Sequence, residues 1–137
     1  MNKQAWQYAR LGKEYHFSAA HKLTEVQDGH PCKRLHGHNY VVEIEVRGEV
    51  SKRNGFVNGL DFYEIDELVK PIVEKLDHQF LNDFVENPTA ENIAQYFLDE
   101  IYRTSAKYVY SVKVFETPKC WAMVVNPDGL FHKVHRE

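Results

Sequence analysis

Hydrophobic and polar residues alternate in the first third of the chain in the pattern of two half-buried β-strands. In YHFSAAHKL every second residue is apolar except for His21, which shares the apolar face. In HGHNYVVEIEVRGEV the apolar face begins at Tyr40 and continues at two-residue intervals. The same parity places His36 and His38 on this face. If the two strands pair as a hairpin, the three histidines lie on one side of the sheet.

Apolar residues at three- and four-residue spacing predict two amphipathic helices in the middle of the chain. Asp61 is a suitable N-cap for the first helix, and Pro71 is expected to kink or divide it. Thr89 is the expected N-cap of the second helix, with Glu91 in its favourable first turn. The predicted apolar stripes are Phe62, Ile65, Leu68, Ile72 and Leu76, then Ile93, Phe97 and Ile101.

Two further strands are predicted in the segments YVYSVKVFE and CWAMVV. In the first of them, Glu116 has the same parity as Tyr110, Val112 and Val114, so a carboxylate is expected at the end of an apolar face. The element order β-β-α-α-β-β predicts an α+β fold with an antiparallel sheet. No repeat or linker interrupts it, so we expect one domain over residues 1–137.

The composition of the chain argues against several classes of protein. A hydrophobic content of 43% and a charged content of 27% are ordinary for a globular protein, and a net charge of -3 argues against a general nucleic-acid binder. No apolar run approaches a membrane span, and the N-terminus lacks the apolar core of a signal peptide. Cys32 and Cys120 are too few and too far apart for a disulfide framework. We therefore expect a cytoplasmic protein with free thiols and with no nucleic-acid or membrane partner.

The three histidines would suit Zn²⁺, because imidazole is a good zinc ligand and a three-ligand site leaves one position open for water or substrate. Taken alone, a His-x-His pair at the start of a strand can equally pack or face water. His21 on an apolar face, with no other evident partner, favours the metal interpretation.

Cys32 lies four residues before His36, in a predicted loop, and three roles are open to it. A thiolate stabilised by a nearby cation could act as a base or nucleophile. The thiol could be a fourth ligand that closes a structural zinc site. It could also be a small, partly buried hydrophobic residue.

Three acidic residues and one histidine are further candidates. Asp77 could orient the imidazole of His78, but adjacent residues in a helix do not face each other, and a histidine that stabilises the helix C-terminus is the simpler interpretation. Glu116 is either a solvated charge or a buried carboxylate that needs N–H partners, which guanine or a pterin would supply. Glu91 is more simply a charge that stabilises the first turn of its helix.

Five motifs carry a resemblance to a known family. FSAAHKL, CKRLHGHNY, LDHQFLND, NPTAENIA and VFET occur in the order expected for the 6-pyruvoyl-tetrahydropterin synthase and 6-carboxytetrahydropterin synthase family, from about Phe17 to Glu116. The resemblance implies the tunnelling fold (T-fold), in which the sheets of several subunits join into a barrel. It also implies active sites at subunit interfaces and a homo-oligomer, either a hexamer or a tetramer.

The resemblance also assigns roles to individual residues. The zinc ligands would be His21, His36 and His38. Cys32 would be the proton acceptor, and Asp77, His78 and Glu116 would form the relay. Glu116 also resembles the glutamate that anchors the pterin ring, and Glu91 resembles a residue that reaches the substrate across an interface.

The spacing in CKRLHGH resembles that of the bacterial carboxy-forming members. Those enzymes convert 7,8-dihydroneopterin triphosphate into 6-carboxy-5,6,7,8-tetrahydropterin, acetaldehyde and triphosphate, on the route to queuosine and other 7-deazapurines. One alternative is the pyruvoyl-forming reaction, which eliminates triphosphate at the same site. Another is a non-catalytic zinc- or pterin-binding protein. Cys120 lies close to Glu116 in sequence and could line the pocket.

Overall fold

The structure is a computed structural model that describes residues 7–104 and 109–126. Its strands form one antiparallel sheet in the order β1-β2-β3-β4, with the helices between β2 and β3 in sequence. The predicted α+β class and element order are confirmed. The strands are β1 (Tyr8–His21), β2 (His36–Glu49), β3 (Val109–Thr117) and β4 (Cys120–Val125), and the helices are α1 (Phe62–Leu76) and α2 (Ala90–Thr104).

Strands β1 and β2 pair along their full length, and this register determines where the histidines lie. The pairing runs from Tyr8 opposite Glu49 to His21 opposite His36. Alternate residues of both strands are buried against the helices, as the sequence pattern predicts. The core includes Phe17, Tyr40, Val42, Ile44 and Val46 from the hairpin, Ile65, Val69 and Leu76 from α1, and Ile93, Phe97 and Ile101 from α2.

Helix α1 begins with a capping box. The Asp61 side chain accepts a hydrogen bond from the Glu64 backbone N–H at 2.8 Å, and the Glu64 side chain accepts one from the Asp61 N–H at 3.2 Å. The helix then runs without interruption to Leu76, so the predicted division at Pro71 does not occur. Pro71 is exposed, while apolar residues on both sides of it pack into the core. Their burial offsets the hydrogen bond that a proline removes.

The alternation predicted for β3 fails at its start. The β2–β3 pairing shifts at Glu45/Val46, so that Val109 rather than Tyr110 lies opposite Val46. Tyr110 instead lies under Arg47, whose guanidinium carbon is 3.9 Å from the ring centroid. The prediction that Tyr110 shares the apolar face is therefore wrong.

A polar contact joins α1 to β1 at the edge of the core. The Tyr15 hydroxyl donates a hydrogen bond to Asp66 Oδ1 at 2.6 Å, and Lys13 Nζ donates to Asp66 Oδ2 at 2.9 Å. These hydrogen bonds hold the pKa of Asp66 below its ordinary value. In the described part of the chain, neither helix has the length and apolarity that a membrane span needs.

Candidate metal and substrate site

Three imidazoles meet where the β1–β2 hairpin opens towards its connecting loop. The potential ligand atoms of His21, His36 and His38 all lie within 4.8 Å of one another. The Nε2 atoms of His21 and His36 are 3.0 Å apart. Within residues 7–104 and 109–126, this is the only group of three or more His, Cys, Asp or Glu side chains that converges in this way. The convergence predicted from strand parity is therefore found.

Backbone carbonyls orient two of these imidazoles. His21 Nδ1 lies 2.7 Å from the Pro88 carbonyl oxygen, and His36 Nδ1 lies 2.6 Å from the Arg34 carbonyl oxygen. A carbonyl oxygen only accepts, so each Nδ1 carries the proton and donates. In a neutral ring Nε2 then keeps its lone pair, which is the form that binds a metal ion. Neither carbonyl acceptor is visible in the sequence, because any residue carries one.

The environment of the group favours the neutral form of two imidazoles. Burial lowers the pKa of His21 and of His38, and electrostatic repulsion from the neighbouring His36 ring lowers both further. The hydrogen bond to Pro88 and the charge of Glu116 only partly oppose this shift for His21. Because a ligand imidazole must be unprotonated, the lowered pKa of these two histidines favours metal binding at neutral pH.

Glu116 lies at the edge of the histidine group. Its Oε2 is 4.0 Å from His21 Nε2, and its side chain is 25% exposed. The β3–β4 pairing shifts between Phe115 and Thr117, which takes Glu116 out of the regular ladder. Burial, with a smaller contribution from Glu116, raises the pKa of the neighbouring Tyr40. The site therefore combines three converging imidazole nitrogens with a partly buried carboxylate that can accept hydrogen bonds from N–H donors.

Cys32 lies beside this group without joining it. It is in a short 3₁₀ turn, Pro31–Lys33, and its carbonyl accepts a hydrogen bond at 2.8 Å from the N–H of Leu23, two residues after His21. Its side chain is partly buried, and its sulfur is not among the converging ligand atoms. The geometry therefore favours three protein ligands with an open position over a closed site with Cys32 as the fourth ligand.

Asp77 and His78 contact each other directly, against the simpler sequence interpretation. Asp77 is the extended C-cap of α1, and His78 has a positive φ of 62°. The chain has thus left the helix, and His78 Nδ1 reaches Asp77 Oδ1 at 3.0 Å. The same carboxylate oxygen accepts a hydrogen bond from the Ser18 N–H at 2.9 Å. This bond, with a smaller contribution from His78, lowers the pKa of Asp77.

The structure does not bring His78 into the histidine group of its own chain. Its side chain is 82% exposed and borders a cavity of about 540 Å³. The cavity is lined by His38 and by strand positions that alternate with the histidines, among them Ser18, Ala20, Gly37 and Asn39. Glu91 is likewise exposed, in the first turn of α2. Thr89 caps this helix as predicted, since its Oγ1 accepts from the Asn92 N–H at 3.1 Å.

Comparison with known proteins identifies the family. The model of the family described as 6-pyruvoyl tetrahydropterin synthase matches residues 10–127. The chain belongs to this family. Among solved structures, 6-pyruvoyl tetrahydropterin synthase of Caenorhabditis elegans superposes with a TM-score of 0.77 at 27% identity, covering 87% of this chain and 96% of that one. The fold is thus the predicted T-fold.

Relatives of similar identity have different names. A 6-carboxy-5,6,7,8-tetrahydropterin synthase of Synechocystis is 33% identical, over 84% of this chain and 92% of its own length. A 6-pyruvoyl tetrahydrobiopterin synthase of Drosophila melanogaster is 37% identical, over 93% and 88%. A dihydroneopterin monophosphate aldolase of Pyrococcus furiosus is 38% identical, over 68% and 75%. Identity alone therefore does not choose the reaction within the family.

Proposed function

We propose that this protein is a zinc-dependent lyase that converts 7,8-dihydroneopterin triphosphate and water into 6-carboxy-5,6,7,8-tetrahydropterin, acetaldehyde and triphosphate. The observation that carries the proposal is the meeting of three imidazoles with a carboxylate 4.0 Å from His21. The short spacing from Cys32 to His36 and the carboxy-forming relative from Synechocystis support the choice of product. We place the reaction in the cytoplasm, on the route to queuosine.

His21, His36 and His38 are assigned as the zinc ligands. Their potential ligand atoms lie within 4.8 Å of one another, and the two nearest, Nε2 of His21 and Nε2 of His36, are 3.0 Å apart, so one Zn²⁺ could be held by all three. With those three ligands, zinc would supply Lewis acidity to the hydroxyl oxygens of the substrate side chain. The two carbonyl-oriented imidazoles need no change of tautomer to bind it.

Glu116 is assigned as the anchor of the pterin ring. The amino-pyrimidinone edge of a pterin presents two neighbouring N–H donors, and a carboxylate accepts both. Partial burial strengthens these hydrogen bonds, because water competes less for the carboxylate. Glu91 is assigned to the same substrate from a neighbouring subunit, since it is exposed at the start of α2.

Cys32 is assigned as the base that removes a side-chain proton, and His78 as the group that returns protons. Asp77 holds His78 Nδ1 at 3.0 Å and so leaves His78 Nε2 free for this transfer. Because His78 is 82% exposed and is not among the converging side chains of its own chain, we assign it to the site of a second subunit. The proposal therefore includes a homo-oligomer, a hexamer or a tetramer.

The second candidate is the pyruvoyl-forming reaction on the same substrate. The 37% identity to the Drosophila protein favours it, and the same residues would serve. It eliminates triphosphate but releases no acetaldehyde, so the two reactions differ in their products.

Product analysis tests the proposal. Purified zinc-loaded protein is incubated with 7,8-dihydroneopterin triphosphate, and the pterin is identified by mass spectrometry while acetaldehyde is trapped and measured. We expect 6-carboxytetrahydropterin together with acetaldehyde. A pyruvoyl product without acetaldehyde would establish the second candidate. If the zinc-bound protein does not convert this substrate, both candidate reactions are contradicted. The next substrate to test is then dihydroneopterin monophosphate, after the name of the Pyrococcus relative.

A further inference from the structure

Two asparagines outside the assigned site form hydrogen bonds to the backbone segments that surround His21. The first, Asn82, binds the backbone of Lys22, the residue that follows His21. Asn82 Oδ1 accepts from the Lys22 N–H at 3.0 Å, and Asn82 Nδ2 donates to the Lys22 carbonyl at 2.9 Å. On the other side of His21, the Ala20 N–H donates to the Gln79 carbonyl at 3.0 Å. The end of β1 is therefore fixed by the segment 79–82.

The second asparagine, Asn92, holds the turn that carries the hydrogen-bond partner of the His21 ring. Asn92 Nδ2 donates to the Asn87 carbonyl at 2.8 Å, and the Thr89 N–H donates to the same oxygen at 2.8 Å. Asn87 is in the left-handed region with a φ of 49°. The next carbonyl in the chain, that of Pro88, accepts from His21 Nδ1. Asn92 thus fixes the turn that directs this carbonyl at the imidazole.

We propose that Asn82 and Asn92 are positioning residues of the metal centre. Asn82 fixes the backbone position of His21, and Asn92 fixes the carbonyl that sets the rotation and tautomer of its ring. Both act on the most buried of the three imidazoles, which is 1% exposed. This inference rests on the proposed function, because it takes His21 as a zinc ligand. Partners one shell beyond metal ligands typically change metal affinity by about 10–100-fold when they are removed.

A purely structural role is the competing explanation, and the contacts distinguish the two. Strand β1 is already paired with β2 up to His21 and His36, so the Asn82 clamp is not needed to form the sheet. The Asn92 side chain is exposed and makes its hydrogen bond to a turn rather than to the core. Loss of either amide should therefore change zinc affinity much more than it changes the unfolding of the metal-free protein.

The experiment measures zinc affinity in the full-length protein by competition with a chelator. The variants are Asn82→Ala and Asn92→Ala. The matched controls are Asp83→Ala, an exposed neighbour in the same turn as Asn82, and Gln95→Ala, an exposed residue of α2. We expect each asparagine variant to bind zinc about 10–100-fold more weakly than the wild type, and each control to stay within about 2-fold.

Two further measurements separate positioning from folding. Urea unfolding of the metal-free variants should resemble that of their controls, and the visible absorption of bound Co²⁺ should shift only in the asparagine variants. If Asn82→Ala does not fold, Asn82→Asp keeps the acceptor for the Lys22 N–H and should show an intermediate loss of affinity. Unchanged zinc affinity in the asparagine variants would overturn the inference. A loss of zinc affinity that is absent from fully folded samples of the variant would overturn it as well. A wild-type protein that binds no zinc would instead refute the proposed function, and this inference with it.

Discussion

At the scale of single residues, the site depends on which nitrogen of each imidazole carries a proton. The carbonyls of Pro88 and Arg34 place that proton on Nδ1 of His21 and His36, and burial keeps His21 and His38 neutral. Imidazole nitrogens that converge in this way repel one another through their lone pairs. A bound cation removes this repulsion, which is a physical reason for the group to bind metal.

Replacing His36 with alanine should remove bound zinc and activity together, because two imidazoles hold a catalytic zinc poorly. His16→Ala is the control, since His16 lies on β1 with a side chain that is 66% exposed. Elemental analysis of the purified variants measures zinc per chain. Full zinc content in His36→Ala would remove His36 from the ligand set.

Replacing Cys32 with alanine should leave zinc in place and lower turnover by about 10²–10⁴-fold, the range for loss of a general base. Cys120→Ala is the control, because Cys120 is the other free cysteine of the described chain and is exposed. Turnover close to that of the wild type would end the assignment of Cys32 as the base. Loss of zinc would make Cys32 a ligand.

The sequence predicts the convergence of the three histidines better than the contact between Asp77 and His78. Strand parity is enough to bring His21, His36 and His38 to one face, because two-residue alternation persists along the whole hairpin. The contact between Asp77 and His78 depends on the positive φ of His78, which no local pattern indicates.

At the scale of elements, α1 and β1 are joined by the hydrogen bond from Tyr15 to Asp66. Tyr15→Phe removes this bond to a charged acceptor and should lower the free energy of unfolding by about 1.5–3 kcal/mol at pH 7. Tyr63→Phe is the control, because Tyr63 is 81% exposed on the same helix. Urea denaturation measures both, and equal stability of the two variants would contradict the contact.

The contribution of this hydrogen bond to the free energy of unfolding depends on pH, and the pKa shift of Asp66 gives the sign. The bond lowers the pKa of folded Asp66 below the ordinary value of 3.8, so folding favours the ionised carboxylate. The contribution is fully present above about pH 3.8 and is lost as the pH falls through the lower, folded value. The stability difference between wild type and Tyr15→Phe should therefore shrink in acid. A difference that grows as the pH falls would contradict this sign.

Element boundaries were predictable where caps and alternation agree, as at Asp61 and Thr89. Two features were not. Pro71 is tolerated because tertiary burial outweighs one missing hydrogen bond. The shift at Glu45/Val46 that displaces Tyr110 arises from pairing between distant strands, which period-two counting within one strand cannot detect.

At the scale of the whole molecule, the proposed reaction uses His78, which the structure does not bring into the converging histidine group of its own chain. Within the described residues, β1 and β4 are the outer strands of the sheet, and an open edge invites pairing with another subunit. Strand β4 also carries three exposed apolar residues: Trp121, Met123 and Val125. An oligomer would cover these side chains and bring His78 to a neighbouring site.

Light scattering should therefore show a multimer, and Met123→Lys on β4 should shift the mass towards the monomer with loss of turnover. The added lysine charge would be buried at the interface between subunits. Burial of a charge is unfavourable when no oppositely charged group pairs with it. Glu67→Lys, an exposed position on α1, is the control. A fully active monomer would contradict the assignment of His78 to a second subunit.

The proposed reaction is tested most directly by the amount of acetaldehyde released per molecule of 6-carboxytetrahydropterin formed from 7,8-dihydroneopterin triphosphate. The measurement is made with zinc-loaded protein, after removal of the metal by a chelator, and after zinc is restored. We expect equimolar products, their loss on chelation and their return with zinc. Turnover that persists without metal, or a pterin product formed without acetaldehyde, would contradict the proposed reaction.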